Sequence, residues 1–264
     1  MPAIDQARLD RQIQDIVAAF GDPARLRYRV LDLFEFYASR VRPATPASGA
    51  GVLPSLGVPA PVLRAVEAAL RARALDDRLA AGMAAEALWT GPVVESRLVA
   101  ITLLEIQPPE DLPPWVEAWA QTAGDASLLE RLAGGPMRIV HRLAPERFWE
   151  ATGANLASGH GAVVILGVRS LEASIDDMDA GELPRAFEAL GGMTPPEAGE
   201  AWRAEVALVR ALARRSPPET AQFLVDQIEQ ARPGATRIAR QMLEAFPALE
   251  RDALRRSLRL SAPG

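Results

Sequence analysis

The chain has 264 residues, of which 49% are hydrophobic, and a formal net charge of −5. The absence of cysteine excludes disulfides, a thiolate nucleophile and a cysteine-based metal site. The two histidines, His141 and His160, are not at a metal-ligand spacing, so we expect neither a metal nor another cofactor. No apolar run matches a bilayer and the N-terminus does not resemble a signal peptide, which favours a cytoplasmic protein without a membrane partner.

Apolar residues recur at helical spacing from the start of the chain. Leu9, Ile13 and Ile16 share one face of a first predicted helix, which the Gly-Asp-Pro at residues 21–23 ends. A second predicted helix runs from about residue 24 to residue 41. The following residues are rich in proline, alanine, serine and glycine, so we predict a flexible loop near 43–55.

Beyond this loop, helical segments alternate with short breaks at proline or glycine, and no segment has the pattern of a strand. One such predicted break is the Gly-Gly-Pro at residues 134–136. This pattern predicts an all-α fold, an α-solenoid of HEAT-like antiparallel helix pairs that forms a single domain over residues 1–264. A compact helical bundle is the alternative.

Positive charge is concentrated near the C-terminus, where residues 201–264 contain 11 arginines and 7 acidic residues. If successive helices present arginines on one side, these side chains can follow the phosphates of a nucleic acid. The candidate residues for such contacts are Arg210, Arg214, Arg237, Arg240, Arg251, Arg255 and Arg259. Two bland alternatives remain, a random split of exposed charge and arginines that complement a helix dipole near its C-terminus.

Three segments of the chain carry a resemblance to a known family. They are residues 57–64 (GVPAPVLR), residues 88–105, with Leu88-Trp89 followed by Glu95-Ser96-Arg97, and residues 209–217 (VRALARRSP). In order and spacing they resemble the DNA alkylation repair family, whose HEAT-like repeat proteins are base-excision glycosylases. The resemblance covers roughly residues 28–258. It implies that double-stranded DNA is the partner, held in a concave groove lined by basic side chains.

The family's catalytic residues are only partly matched in this chain. In the family, two tryptophans and a tyrosine frame the deoxyribose of the lesion, and an aspartate lies near the cationic sugar. The resemblance places Tyr37 at the tyrosine position and Glu130 at the aspartate position, which makes Glu130 the candidate catalytic residue. The two tryptophan positions fall on Ala126 and Gly159, which have no aromatic ring to stabilise a sugar cation.

These residues lead to three hypotheses about function. The first is a DNA-binding HEAT-like protein with weak or no glycosylase activity. The second is a non-enzymatic HEAT scaffold that binds a protein partner on its concave face. The third is an active glycosylase that uses other aromatic residues, such as Trp115 and Trp119, although core packing is the more common role of such side chains.

Overall fold

The computed structural model describes residues 4–38, 53–196 and 198–260. Within these ranges all regular secondary structure is helical and no strand is present, which confirms the predicted all-α class. The chain divides into two compact units, Met1–Leu143 and Ala144–Gly264, which are described in turn. The single repeat domain over residues 1–264 stays a prediction.

The first unit consists of helices that pack in two layers. Their bounds are α1 Gln6–Ala18, α2 Pro23–Tyr37, α3 Ala60–Asp76, α4 Arg78–Trp89, α5 Val94–Leu104, α6 Leu112–Gln121, α7 Ala126–Leu132 and α8 Arg138–Leu143. Helices α1, α3, α5 and α7 are successive neighbours in one layer, while α2 and α4 are neighbours in the other. This alternation is what a series of antiparallel helix pairs produces.

Local sequence accounts for where several of these helices begin. The carboxylates of Asp5, Asp22, Asp77 and Asp125 each accept a hydrogen bond from a backbone N–H in the first turn of the helix that follows. The predicted break at residues 21–23 is confirmed by the start of α2 at Pro23, whereas α2 ends at Tyr37 and not near residue 41. Residues 53–59 are not helical, and residues 39–52, which hold most of the predicted loop, lie outside the described residues.

The predicted break at residues 134–136 is wrong. Residues Ala133–Met137 form a π-helical turn that joins α7 directly to α8. Gly135 lies against the Glu105 side chain of α5, and a Cβ atom there would be 2.3 Å from Glu105 Oε1. The wide turn is thus fitted to a carboxylate from another helix, a tertiary contact that local propensity does not show.

A buried carboxylate joins two of the sequence motifs in the first unit. Glu95, at the start of α5, is 4% exposed and accepts hydrogen bonds from the loop before α3. The donors are Ser55 Oγ at 2.7 Å, the N–H of Gly57 at 2.8 Å and the N–H of Leu56 at 3.1 Å. Gly57 has a φ of 67°, a conformation that favours glycine. Glu95 therefore fixes the turn that leads into α3.

The second unit contains α9 Pro145–Leu156, α10 Gly161–Ser174, α11 Leu183–Gly192, α12 Gly199–Arg215, α13 Pro217–Glu229, α14 Ala235–Met242 and α15 Ala248–Leu260. Helix α10 packs against both α9 and α12, and α12 packs against α13. Helix α13 in turn packs against α14 and α15. The fully buried Phe148, Leu208 and Leu212 belong to the core of this unit.

Candidate nucleic-acid interface

Helix α12 carries a row of exposed arginines on one face. Arg203, Arg210 and Arg214 are exposed, while the opposite face of the helix is buried. At 3.6 residues per turn, positions seven and eleven residues apart lie within roughly 20° of the same line along the helix. The row extends over about 16 Å, at 1.5 Å per residue. The geometry therefore presents three guanidinium groups to the same side.

Two members of this row have no acidic partner. Arg210 and Arg214 form no ion pair with a carboxylate in the described part of the chain, and neither does the exposed Arg240 of α14. The neighbouring Arg215 differs, because its Nη2 donates to the carbonyl of Met178 at 3.2 Å. Arg214 lies in the last turn of α12, where a cation also complements the helix dipole. The guanidinium groups of Arg210 and Arg214 are thus available to bind an anion.

Helix α14 is attached to α12 through Trp202. The Arg237 guanidinium lies over the Trp202 ring, 4.2 Å from its centroid, and the ring is 6% exposed. Gly234, which precedes α14, has a φ of 82°, and a Cβ atom there would lie 3.0 Å from the ring. Trp202 is therefore a packing residue, and through it the exposed Arg237 and Arg240 are on the helix next to the α12 row.

Arg203 is more strongly engaged than the other members of the row. Its Nε and Nη2 donate to Glu200 Oε2 at 2.9 and 2.6 Å, and Arg169 Nη2 donates to Glu200 Oε1 at 2.9 Å. Burial raises the pKa of Glu200, but the hydrogen bonds from Arg203 and Arg169 outweigh it and leave the pKa below its ordinary value. Glu200 thus holds two arginines and keeps one negative charge at the start of α12.

The predicted arginines of α15 are partly neutralised. Arg251 Nη1 lies 2.9 Å from Glu244 Oε2, and Arg255 Nη2 lies 3.7 Å from Glu244 Oε1. Arg255 also lies 3.6 Å from Asp252. Arg259 is exposed near the end of the helix. We therefore rank the α15 arginines below those of α12 and α14 as phosphate contacts.

Tyr37 and Glu130 both belong to the first unit. Tyr37 is half-buried at the end of α2, and burial raises the pKa of its hydroxyl. Its ring contacts Phe36 edge-on at 4.9 Å. Glu130 is exposed on α7, and the adjacent Arg131 reaches across to α5, where it lies 3.6 Å from Glu105 Oε1. The structure shows no reacting group next to Glu130 that would assign it a catalytic role.

A charged cluster connects the layer that contains α7. Glu105, with 9% of its side chain exposed, pairs with Arg71 of α3 at 2.8 Å and with Arg131 of α7. Thr102 donates to Glu67 at 3.1 Å, and burial raises the pKa of Glu67. These interactions satisfy the charges within the layer, so Arg71 and Arg131 already have a carboxylate between them.

The tryptophans serve mainly to pack helices together. Trp89, Trp119, Trp149 and Trp202 are each at most 8% exposed, whereas Trp115 is half-buried. Trp89 and Trp119 stack with their ring centroids 4.4 Å apart, and Trp89 Nε1 donates to Thr122 Oγ1 at 3.1 Å. This contact between α4 and α6 was not visible in the sequence, since the two rings are 30 residues apart. Four of the five indoles are therefore largely inaccessible to a bound sugar.

Among the described helices, none combines the length and the apolar character needed to cross a membrane. In the same part of the chain no group of three or more metal-binding side chains is found. Comparisons of the chain with protein-family models, with curated proteins and with solved structures give no match in any of the three.

Proposed function

We propose that this chain binds double-stranded DNA through phosphate contacts made by the arginines of α12 and α14. The observation that carries the proposal is the row on α12, in which Arg210 and Arg214 are exposed, aligned and without an acidic partner among the described residues. A guanidinium group presents a planar fork of donors that matches the oxygens of a phosphate. The resemblance of the sequence to DNA alkylation repair proteins supports the same partner.

Binding of this kind is independent of base sequence and depends strongly on salt. Each neutralised phosphate releases condensed counterions and contributes about −0.9 to the slope of log K against log salt concentration. Two to four such contacts give a slope of about −2 to −4. The net charge of −5 opposes the approach of DNA over longer distances, so the affinity should be modest.

The test is to replace Arg210 and Arg214 by alanine and to titrate the protein into labelled duplexes at several salt concentrations. We expect weaker binding to all duplex sequences and a slope that is smaller by about 2, because two phosphate contacts are lost. Arg147→Ala is the control, since Arg147 is an exposed arginine of the same unit that already pairs with Glu150 at 2.9 Å.

A second variant, Arg251→Ala with Arg255→Ala, ranks the two sets of arginines. Because Glu244 already compensates both charges, we expect a smaller loss of affinity than for the α12 pair. If the α12 variant keeps the affinity and the salt slope of the parent protein, the proposed interface is wrong. If the parent protein does not bind duplex DNA at all, a scaffold for a protein partner becomes the better hypothesis.

We further propose that the protein excises alkylated purines poorly or not at all. Ala126 and Gly159 stand where the resemblance requires tryptophans, and a cation–π contact contributes about 0.5–2 kcal/mol per ring. Two missing rings should slow sugar-bond cleavage by one to two orders of magnitude, at about tenfold per 1.4 kcal/mol. The measurement is release of 7-methylguanine from alkylated duplex DNA in a single turnover, for which we expect background levels. Robust release that is abolished by Glu130→Gln would show instead that a working site exists.

A further inference from the structure

The outward face of α4 in the first unit is an apolar surface that borders a groove of about 630 Å³. Leu79 and Met83, one helical turn apart, are 80% and 49% exposed. Gly82 leaves a gap between them, and Trp115 of α6 and Pro23 of α2 also line the groove. Two large apolar side chains exposed next to each other on one helix indicate a surface that is covered by another molecule.

This face ends in opposite charges. Arg78 lies at the start of α4 and Glu86 eight residues later, about 12 Å along the helix axis. Both side chains are exposed, and neither forms an ion pair with a described residue. Glu86 accepts only a long hydrogen bond, 3.4 Å from Trp119 Nε1. The surface therefore consists of a cation, an apolar centre and an anion in a line.

Such a line is complementary to itself when it is reversed. Arg78 and Glu86 each lie four residues from Gly82, on opposite sides of it. If two α4 helices pack antiparallel about a two-fold axis at Gly82, each Arg78 meets the Glu86 of the other copy. Leu79 and Met83 then pack across the axis, and the missing side chain of Gly82 lets the backbones approach closely.

We propose that α4 is the interface of a two-fold symmetric dimer of this chain. The charge pattern selects a second copy as the occupant, because an unrelated partner would have no reason to match a sequence that is symmetric about Gly82. In the dimer, the Arg78 guanidinium of one copy lies beside Glu86 and Trp115 of the other, since these two side chains line the groove together. The indole face adds a cation–π contact to the ion pair.

The dimer should be weak. A single pair of helices buries less than the roughly 1,200 Å² that is typical of stable interfaces, so association should appear only at high protein concentration. This interface belongs to the first unit and the proposed DNA contacts belong to the second, so each proposal can fail without the other.

Sedimentation velocity between about 1 µM and about 1 mM protein measures the association directly. We expect the parent protein to shift from monomer to dimer within this range. Arg78→Glu and Glu86→Arg should each be monomeric, because each creates two like-charge contacts across the axis. An equimolar mixture of these two variants should form a dimer again, and so should the double variant, because both arrangements restore two ion pairs.

Arg142→Glu, which reverses an exposed charge on α8, is the matched control and should associate like the parent protein. Thermal unfolding followed by circular dichroism verifies that the variants are folded. A parent protein that is monomeric at every concentration overturns the proposal, and so does a dimer that persists in both single variants. A mixture of the two variants that stays monomeric overturns the pairing of Arg78 with Glu86.

Discussion

Glu205, on α12, has a buried carboxylate whose ionisation should lower the stability of the second unit near neutral pH. Its side chain is 4% exposed, and Oε1 lies 3.8 Å from Arg232 Nη2, too far for a good hydrogen bond. The Arg232 donors are used elsewhere, since Nη1 donates to Gln227 Oε1 and Nη2 to the carbonyl of Met193, both at 2.8 Å. Glu205 Oε2 is buried and has no hydrogen-bond partner among the described residues.

Burial raises the pKa of Glu205 to about 7, although Arg232 acts in the opposite direction. Since the pKa is higher in the folded than in the unfolded state, the stabilisation is fully present below the unfolded value of 4.5 and is lost as the pH rises through about 7. At 1.36 kcal/mol per pH unit, this group should lower the free energy of unfolding by about 3 kcal/mol between pH 4.5 and pH 8. The variant Glu205→Gln cannot ionise and should lack this dependence.

The assay is urea unfolding of the parent protein and of Glu205→Gln at pH values from about 4.5 to 8. The free energy of unfolding of the variant relative to the parent should increase by about 3 kcal/mol over this range. Glu229→Gln, at an exposed position on α13, controls for the loss of a glutamate and should show no such trend. A constant difference between Glu205→Gln and the parent at all pH values would refute the argument.

Two further substitutions test contacts within the first unit. Glu95→Ala removes the acceptor of three donors in residues 55–57 and should lower the free energy of unfolding by about 3–5 kcal/mol, measured in urea. Gly135→Ala places a Cβ atom 2.3 Å from Glu105 Oε1, so the carboxylate must move from its arginine partners, with an expected loss of about 1–2 kcal/mol. Gly134→Ala has no atom within 4 Å of the new Cβ and should be neutral or slightly stabilising in the same measurement.

Much of the fold could be predicted because helix boundaries depend on local chemistry. The Asp22–Pro23 pair, for example, supplies an N-cap side chain and a proline in the first turn, and α2 begins there. The Gly-Gly-Pro at residues 134–136 has the same local appearance but is continuous with the helices on either side. The difference comes from Glu105 of α5, which is some 30 residues away and therefore does not enter a local pattern.

The candidate interface could be predicted only in part for the same reason. Periodicity is sufficient to place Arg203, Arg210 and Arg214 on one face of α12, although Arg203 was not among the predicted contacts. It also places Glu205 on the buried side, three residues after Trp202, a signal that the sequence analysis did not use. In contrast, Glu244 lies outside α15, so the pairing of Arg251 with it depends on how the chain turns between two helices.

The buried Glu95 carboxylate also has a consequence for the motions of the chain. The amide hydrogens of Leu56 and Gly57 point into it, although residues 53–59 have no regular secondary structure. Their exchange with solvent requires the loop to separate from the first turn of α5, an opening that leaves a buried carboxylate without partners. These two amides should therefore exchange at the slow rate of a core helix, so an irregular segment shares the lifetime of the most protected part of its unit.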